Sequence, residues 1–425
     1  MASCAAGQGR IPSPAAAPPA SKPPAPAGSS APDPALAALR YGVEPRVEFT
    51  AVERRAMDVA APLLQRPGDP PPARSGVLAL AARQLATLAA AGDPAPLDRV
   101  QVRSALWNAA SSDPAPLAYL VSGPSHRVAE ALPSVISARS FAGHLGAGVV
   151  EREGMAWLVL LASPRRARLS PFPRAVAVGA SAVLEGELVT GLAEPRLFVT
   201  APDGSVGERP VSGSRRFTAS LRFDSPGRWL VEVLGRGLNG PEVVGLLAVS
   251  AGPEAAAPPH GHAAGPDPAD PAEAEARVLV AINATRGRHG LPPLEPSARL
   301  KSVARAHSAE MLRQGLLAHI LPGSGDIGER LRRAGIPFRK ALENLAKGQT
   351  ALAAHEATEE SPAHRDNLLV AGPTLAGVGI ARATLPGGGP VVYLTEVFVE
   401  PLHEAARNRA EPGTVTRPER GAETR

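Results

Sequence analysis

The sequence predicts a multidomain protein of the α+β class, and three observations lead to this prediction. The chain has 425 residues, more than one ordinary domain holds, which suggests two or three domains. Segments with helical spacing of apolar residues lie on both sides of a stretch of short, strand-like runs. Stretches rich in proline and alanine precede the first part and lie between the strand-like runs and the last part, as is typical of linkers.

The composition narrows the class of protein. Hydrophobic residues make up 44% of the chain and aromatic residues 3%, so sizeable cores are expected, built mainly from Ala, Leu and Val. The net charge of +5 is not gathered into basic runs interleaved with aromatic residues, so we expect no nucleic-acid partner. A single cysteine rules out an intramolecular disulfide framework, and no apolar run is long enough to span a bilayer.

The first segment, residues 1–43, is predicted to be a disordered Pro/Ala-rich tether. Within it, Ala2-Ser3-Cys4 matches the end of a bacterial lipobox, in which small residues precede a lipidated cysteine. This match predicts a lipid anchor on Cys4, with the signal peptide encoded upstream of Met1. The alternative is a chance cysteine in a disordered tail. Membrane contact is expected only through such an anchor.

Residues 44–166 are predicted to form an α+β domain of unknown type. Thr50 and Glu53 are spaced as a capping box that opens a helix, which Pro62 should end or bend. Further elements are expected in order: helices at 77–91 and 102–110, a strand at 117–121, a helix at 128–136, and a hairpin of 146–150 with 155–161. The Gly-x-Gly start of this hairpin resembles the end of the C-terminal part, which suggests a degenerate duplication.

Residues 167–252 are predicted to form an all-β, immunoglobulin-like sandwich. Short strand-like runs recur with Gly/Pro/Asn turn signals between them and without helical spacing. The runs are 183–189, 196–200, 217–223, 229–233 and 243–249. No catalytic cluster is present in this part, so we interpret it as a spacer or adhesion module.

The remaining chain divides into a linker at 253–271, a domain at 272–402 and a disordered tail at 403–425. Asp270 with Pro271 predicts the start of a helix, and Ser297 caps a second helix with an apolar stripe. In the linker, two histidines are interpreted as incidental rather than metal-binding: His260 and His262.

Short motifs follow one another in the C-terminal part: Ala306-His-Ser-Ala-Glu-Met311, His319, Glu343-Asn-Leu-Ala346, Ser361-Pro-Ala-His-Arg-Asp-Asn-Leu-Leu369 and Gly377-Val-Gly-Ile380. Their order resembles the bacterial branch of the CAP superfamily (cysteine-rich secretory proteins, antigen 5, pathogenesis-related 1). The resemblance covers about the last third of the chain. It implies an α-β-α layered domain whose sheet includes a hairpin of 377–381 with 391–399.

The resemblance also implies a cleft lined by His319, Glu343 and His364, together with a second acid. We favour Glu360 as that acid, then Glu356, because the two share a helix face. Two alternatives stay open for this cleft: a divalent metal, most simply zinc, between His319 and His364, since neutral imidazoles are common metal ligands, or no cofactor. This chain departs from the family pattern at three positions: Thr358 for a tryptophan, Ala363 for a glycine and Leu317 for an aromatic residue.

Each candidate also has a purely structural interpretation. His319 alone is typical of a hydrogen-bonded loop histidine, Glu343 of a turn cap, and His364 of a solvated helix face. Together and in family order they favour one shared cleft. Three other histidines are interpreted as structural or surface residues: His289, His307 and His355.

Three functions remain open. The favoured one is a secreted or surface-anchored bacterial envelope protein whose CAP domain binds a ligand, a lipid, peptide or cell-wall fragment. The second is a metal-assisted hydrolase of peptide or cell-wall material, with a glutamate as base. The third is a structural or adhesive module with a vestigial pocket. The sequence contains no phosphate-binding loop, Gly-x-Ser-x-Gly elbow or cysteine nucleophile.

Overall fold

The computed structural model describes residues 39–136, 141–252, 265–384 and 389–402. The predicted lipid anchor at Cys4, the linker histidines and the C-terminal tail lie outside the described residues. Within the described ranges, no helix has both the length and the apolar character needed to cross a membrane.

The N-terminal region, residues 39–166, places helices on both faces of a small sheet. Its sheet has the strand order β1-β3-β4-β2. The capping box at Thr50 is present, and α1 continues through Pro62 to Leu64. The elements are α1 (Ala51–Leu64), β1 (Ala73–Arg74), α2 (Gly76–Ala90), α3 (Arg99–Asn108), β2 (Leu117–Pro124), a 3-10 helix (Val128–Ser134), β3 (His144–Arg152) and β4 (Met155–Ser163).

The middle region, residues 167–252, contains two sheets that share one apolar core. A three-stranded sheet has the order β10-β7-β5 and a five-stranded sheet the order β6-β12-β11-β8-β9. The immunoglobulin-like likeness stays a prediction. The strands are β5 (Ala167–Leu169), β6 (Ala175–Val176), β7 (Ser181–Leu188), β8 (Ala193–Thr200), β9 (Val206–Arg209), β10 (Arg216–Arg222), β11 (Gly227–Gly237) and β12 (Gly240–Ala251).

Tyr41 corrects the predicted end of the tether at residue 43. Its side chain is fully buried in the core of the middle region, and its hydroxyl donates to the carbonyl of Ala248 at 2.8 Å. Its backbone pairs with Phe172. A buried aromatic ring with a satisfied hydroxyl contributes strongly to packing, so the folded part begins before residue 43.

The C-terminal region, residues 265–402, is a sheet of order β13-β15-β16-β14 between two helical layers. One apolar core joins α4, α7 and α8 to one face of the sheet, and another joins α5 and α6 to the opposite face. The elements are α4 (Pro271–Arg288), β13 (Glu295–Pro296), α5 (Ala298–Gln314), α6 (Ile327–Arg333), β14 (Lys340–Gly348), α7 (Ala351–Glu360), α8 (Pro362–Leu369), β15 (Leu375–Thr384) and β16 (Pro390–Glu400).

Candidate functional site

The first pair in the site is His319 with Glu343. His319 lies in the loop between α5 and α6, and Glu343 lies on β14. Nδ1 of His319 is 2.9 Å from Oε2 of Glu343, and the glutamate side chain is almost fully buried. Because an ionised carboxylate only accepts, Nδ1 carries the proton, and Nε2 is the nitrogen left for a ligand.

Arg330 on α6 completes this pair. Its Nη2 bonds Oε1 of Glu343, and its Nη1 donates to the carbonyl of His319 at 2.9 Å. Burial alone would raise the pKa of Glu343, but the hydrogen bond from His319 and the charges of His319 and Arg330 outweigh it. The pKa of Glu343 therefore lies below its ordinary value. Both carboxylate oxygens are engaged, and the glutamate stays ionised at neutral pH.

His364 lies on α8, and two residues favour the start of this helix. Ser361 caps it by accepting from the backbone N–H of His364 at 3.4 Å, and Pro362 occupies the first helical position. The ring centroids of His319 and His364 are 6.5 Å apart. Burial lowers the pKa of His364 to about 3, and the neighbouring His319 acts in the same direction. The ring of His364 is therefore neutral at physiological pH.

A buried polar network lies on the opposite face of β14. Nδ2 of Asn344 donates to the carbonyl of His364 at 3.1 Å and to Oε2 of Glu396 at 3.1 Å. Its Oδ1 accepts from Asn367 at 3.0 Å. Because Glu343 and Asn344 are adjacent on a strand, their side chains point to opposite faces. Strand β14 thus bonds both the loop that carries His319 and the helix that carries His364.

His355 on α7 forms the far end of this network. Its Nδ1 is 2.7 Å from Oε1 of Glu396, and both side chains are buried. Burial would lower the pKa of His355, but the Glu396 carboxylate more than compensates and raises it. Thr358, the position where family members usually have tryptophan, donates to the carbonyl of His355 at 2.7 Å.

Glu360 and Glu356, the candidates for the second acid, are engaged by the N-terminal region. Arg99 on α3 bonds Glu360 through Nη1 and is 3.4 Å from Glu356 through Nη2. The structure therefore brings together His319, Glu343 and His364, and places the two α7 glutamates in a salt bridge with Arg99.

The expected metal can be tested against these donors. A zinc site needs three or four protein ligands. Nδ1 of His319 and both oxygens of Glu343 are already bonded, which leaves two imidazoles, and no group of three His, Cys, Asp or Glu side chains in the described parts of the chain could hold a metal ion. These residues alone do not make a metal site.

Two other histidines, interpreted as structural or surface residues, each have a hydrogen-bond partner outside the triad. His307 is buried, and its Nε2 lies 3.0 Å from the carbonyl of Ala318. Burial lowers the pKa of His307 to about 4. Nε2 of His289 lies 2.9 Å from Nη2 of Arg365.

Sequence reasoning missed Arg330, Glu396 and the roles of Asn344 and His355. Glu396 could have been noticed in the sequence, since it is the one acid between residues 391 and 399 in a mainly apolar strand, and a buried acid needs a partner. Arg330 gave none, because it lies in a cluster of surface-like arginines on a short helix.

Comparison with known proteins agrees with the resemblance. The profile of CAP, the Cysteine-rich secretory protein family, matches residues 279–398. The uncharacterised protein YkwD of Bacillus subtilis is 34% identical over 110 residues, which cover 26% of this chain and 43% of YkwD. The chain thus spans less than half the length of this curated relative.

Solved structures with some likeness include three bacterial proteins. An outer surface protein of Borrelia burgdorferi has a TM-score of 0.28 at 20% identity, with 31% of this chain and 96% of that chain covered. An extracellular SCP-domain protein of Bacillus anthracis has a TM-score of 0.28 at 18% identity, with 51% of this chain and 81% of that chain covered.

The third, a cysteine-rich secretory protein of Staphylococcus aureus, has a TM-score of 0.27 at 11% identity, with 60% and 83% covered. The family profile matches the part of the chain that carries the ordered motifs. The C-terminal region of this chain therefore contains a CAP superfamily domain.

Proposed function

We propose that the CAP domain binds an uncharged polar ligand between His319 and His364. The observation that carries this proposal is the bonded triad of His319, Glu343 and Arg330 beside a neutral His364. The charge of Glu343 is balanced by Arg330 and the ring of His364 is neutral, so the cleft presents imidazole nitrogens and no unpaired carboxylate. Such a surface favours neutral hydrogen-bonding groups, because a charged ligand would be desolvated without a counter-ion.

Peptide amides and sugar hydroxyl groups have this chemistry, and both occur in cell-wall fragments. The matched family is described as one of secretory proteins, which motivates a matching location for this chain. We therefore place the protein outside the cell or at the envelope. A lipid anchor at Cys4 and zinc between the two histidines remain predictions; any zinc would need further ligands from water or the bound molecule.

The hydrolase alternative is less well supported by the same geometry. A general base works best with a pKa near the working pH and with a free oxygen toward the reacting proton. Glu343 has a lowered pKa and two engaged oxygens, so it acts as a counter-ion that orients His319. Glu360 is bonded to Arg99 rather than to either cleft histidine.

The test uses the full chain and soluble disaccharide peptides released from peptidoglycan by a muramidase. Isothermal titration calorimetry should give saturable binding to the wild type and a loss of about tenfold or more in affinity for His364→Ala, the size of one lost hydrogen bond of about 1.4 kcal/mol in a shielded site. His126→Ala, at an exposed position of the N-terminal region, is the control and should bind normally.

Mass spectrometry of the same mixtures separates the alternatives. Intact disaccharide peptides after long incubation agree with a binding module. Cleaved products that disappear with Glu343→Gln would replace the binding proposal by the hydrolase. Equal affinity of the wild type and His364→Ala would show that the ligand does not bind in the proposed cleft.

A further inference from the structure

The middle region contacts the loop that carries His319. Strands β11 and β12 form a hairpin whose tip is Leu238–Asn239, with Gly237 paired to Gly240. The carbonyl of Asn239 accepts a hydrogen bond from the backbone N–H of Ile320 at 3.1 Å. The hairpin tip is thus fixed to the residue that follows the first cleft histidine.

Gly240 brings the hairpin backbone against His319 itself. A Cβ placed on Gly240 would lie 3.1 Å from Cβ of His319 and 3.6 Å from Cγ1 of Ile320, and the first of these distances is closer than side chains normally pack. The φ angle of Gly240 is +92°, which side chains other than glycine rarely adopt. Glycine at this position therefore allows the close approach of the two regions.

The middle region also contacts the helix that carries His364. Oε2 of Glu232, on β11, accepts from the backbone N–H of Ala363 at 2.8 Å. This side-chain oxygen supplements the Ser361 cap, because it satisfies a second backbone N–H at the N-terminus of α8. Glu232 has no exposed surface, so this contact lies inside the interface between the two regions.

Apolar and polar contacts extend the same interface along α8. Phe198 and Leu234 of the middle region form a buried cluster with Ala363. Nε of Arg365 donates to the carbonyl of Gly204 at 3.0 Å. The middle region therefore contacts the residues on both sides of His364 in the sequence.

We propose that the cleft is a composite site, in which the β11–β12 hairpin and Glu232 of the middle region hold the His319 loop and the α8 helix at their spacing. This inference deepens the proposed function. The part of its test that measures ligand binding rests on that proposed function. It makes ligand binding and docking of the middle region mutually dependent: a ligand that contacts both histidines stabilises the docked arrangement, and undocking separates the histidines.

The first experiment compares two glycine substitutions in the full chain. Gly240→Ala adds a methyl group against His319. Gly179→Ala adds one at a similar φ of +81° with nothing within 4 Å, so it reproduces the backbone strain without the contact. Diethylpyrocarbonate labels accessible neutral imidazoles, and peptide mass spectrometry gives the rate at each histidine.

We expect His319 and His364 to label about tenfold faster in Gly240→Ala, which corresponds to docking weakened by about 1.4 kcal/mol, and at the wild-type rate in Gly179→Ala. Equal rates in the two variants would overturn the composite site. Because this labelling needs no ligand, it is independent of whether disaccharide peptides bind.

A second pair of variants tests whether the middle region positions α8. It also keeps the proposal testable if Gly240→Ala does not fold. Glu232→Ala removes the carboxylate, whereas Glu232→Gln keeps an acceptor oxygen for the Ala363 N–H. Hydrogen exchange of the 361–367 segment should be faster in Glu232→Ala and restored in Glu232→Gln. Unchanged exchange in Glu232→Ala would contradict the role of the middle region in positioning α8.

A binding experiment measures the affinity of the same variants for disaccharide peptides. Weaker binding by Gly240→Ala and Glu232→Ala, with normal binding by both matched controls, supports the coupling. If the wild type binds no disaccharide peptide but the labelling contrast is present, the proposed ligand class fails and the composite cleft stands. Wild-type affinity in the two undocking variants would overturn the coupling.

Discussion

The N-terminal and C-terminal regions share one sheet plan. The strand orders are β1-β3-β4-β2 and β13-β15-β16-β14. In both sheets the first strand is a two-residue strand that pairs in parallel with the second, and the remaining pairs are antiparallel. The duplication suggested by the two Gly-x-Gly hairpins agrees with this geometry.

The two regions also pack a helix on the sheet in the same way. A Cβ on Gly148 would lie 2.1 Å from the backbone nitrogen of Arg83, and a Cβ on Gly379 would lie 2.1 Å from the backbone nitrogen of Arg305. Glycine on the strand therefore lets α2 and α5 approach their sheets closely.

The same two arginines make matching ion pairs. Arg83 bonds Glu53 of α1 through Nε and Nη2 at 2.7 and 2.8 Å. Arg305 bonds Glu275 of α4 through Nε and Nη2 at 2.7 and 2.6 Å. Each glutamate side chain is 1% exposed. Such bidentate pairs fix two helices relative to each other.

The polar site is where the regions differ. Glu343 is aligned across the sheet with Val397 and Gly377, and the strand positions matching these three are Ala118, Leu161 and Gly146. By the same register, Tyr119 stands in place of Asn344 and Leu160 in place of Glu396. The fold is thus kept by glycines and the Arg–Glu pair, whereas the cleft depends on side chains that the N-terminal region lacks.

The strongest test of the shared plan is substitution of the packed glycines. Gly148→Ala and Gly379→Ala should each destabilise the protein by about 3 kcal/mol or more, because the added methyl group overlaps helix backbone. Gly123→Ala, on β2 with open space around it, is the control. Scanning calorimetry should show a lowered transition for both packed positions. An unchanged transition temperature in either variant would show that the two regions do not share this close helix–sheet packing.

The stability of the interface between the middle and C-terminal regions should depend on pH, because Glu232 is buried in it. Burial raises the pKa of Glu232 to about 7, against the lowering effects of Ala363, Ser361 and Arg103. A raised carboxyl pKa favours the folded state below the ordinary value of 4.5, and this contribution is lost as pH rises to about 7.

Between those values the wild type should lose up to about 3 kcal/mol relative to Glu232→Gln. Thermal unfolding from pH 4.5 to 8 measures this, with Glu185→Gln, at an exposed position, as the control. Parallel pH profiles for the wild type and Glu232→Gln would contradict the buried state of Glu232.

The matching ion pairs should contribute similarly in both regions. Glu53→Gln and Glu275→Gln should each cost about 2 kcal/mol, less than for a fully buried pair, because the arginine partners are partly exposed and regain water. Glu273→Gln breaks the exposed pair with Arg277 and should cost less than about 1 kcal/mol. Urea unfolding measures these differences, and a cost confined to one region would show that the pairs are not equivalent.

Local patterns in the sequence predicted much of this architecture. The caps at Thr50, Asp270 and Ser297, and the two Gly-x-Gly strands, are encoded within a few residues. The ordered motifs named three cleft residues. The contacts of Glu232 with Ala363 and of Arg99 with Glu360 join residues more than a hundred positions apart, and no local spacing reports such pairings.

We expect the ligand site to lie in the C-terminal region, supported by the middle region, and not in the N-terminal region. Alanine-methyl NMR of the full chain, titrated with muramidase-released disaccharide peptides, can locate the bound ligand. Ala318 and Ala363 adjoin the two cleft histidines in sequence, and Ala118 occupies the equivalent of the Glu343 position. We expect saturable shifts at Ala318 and Ala363 and none at Ala118. Shifts at Ala118 with none at the cleft pair would contradict it.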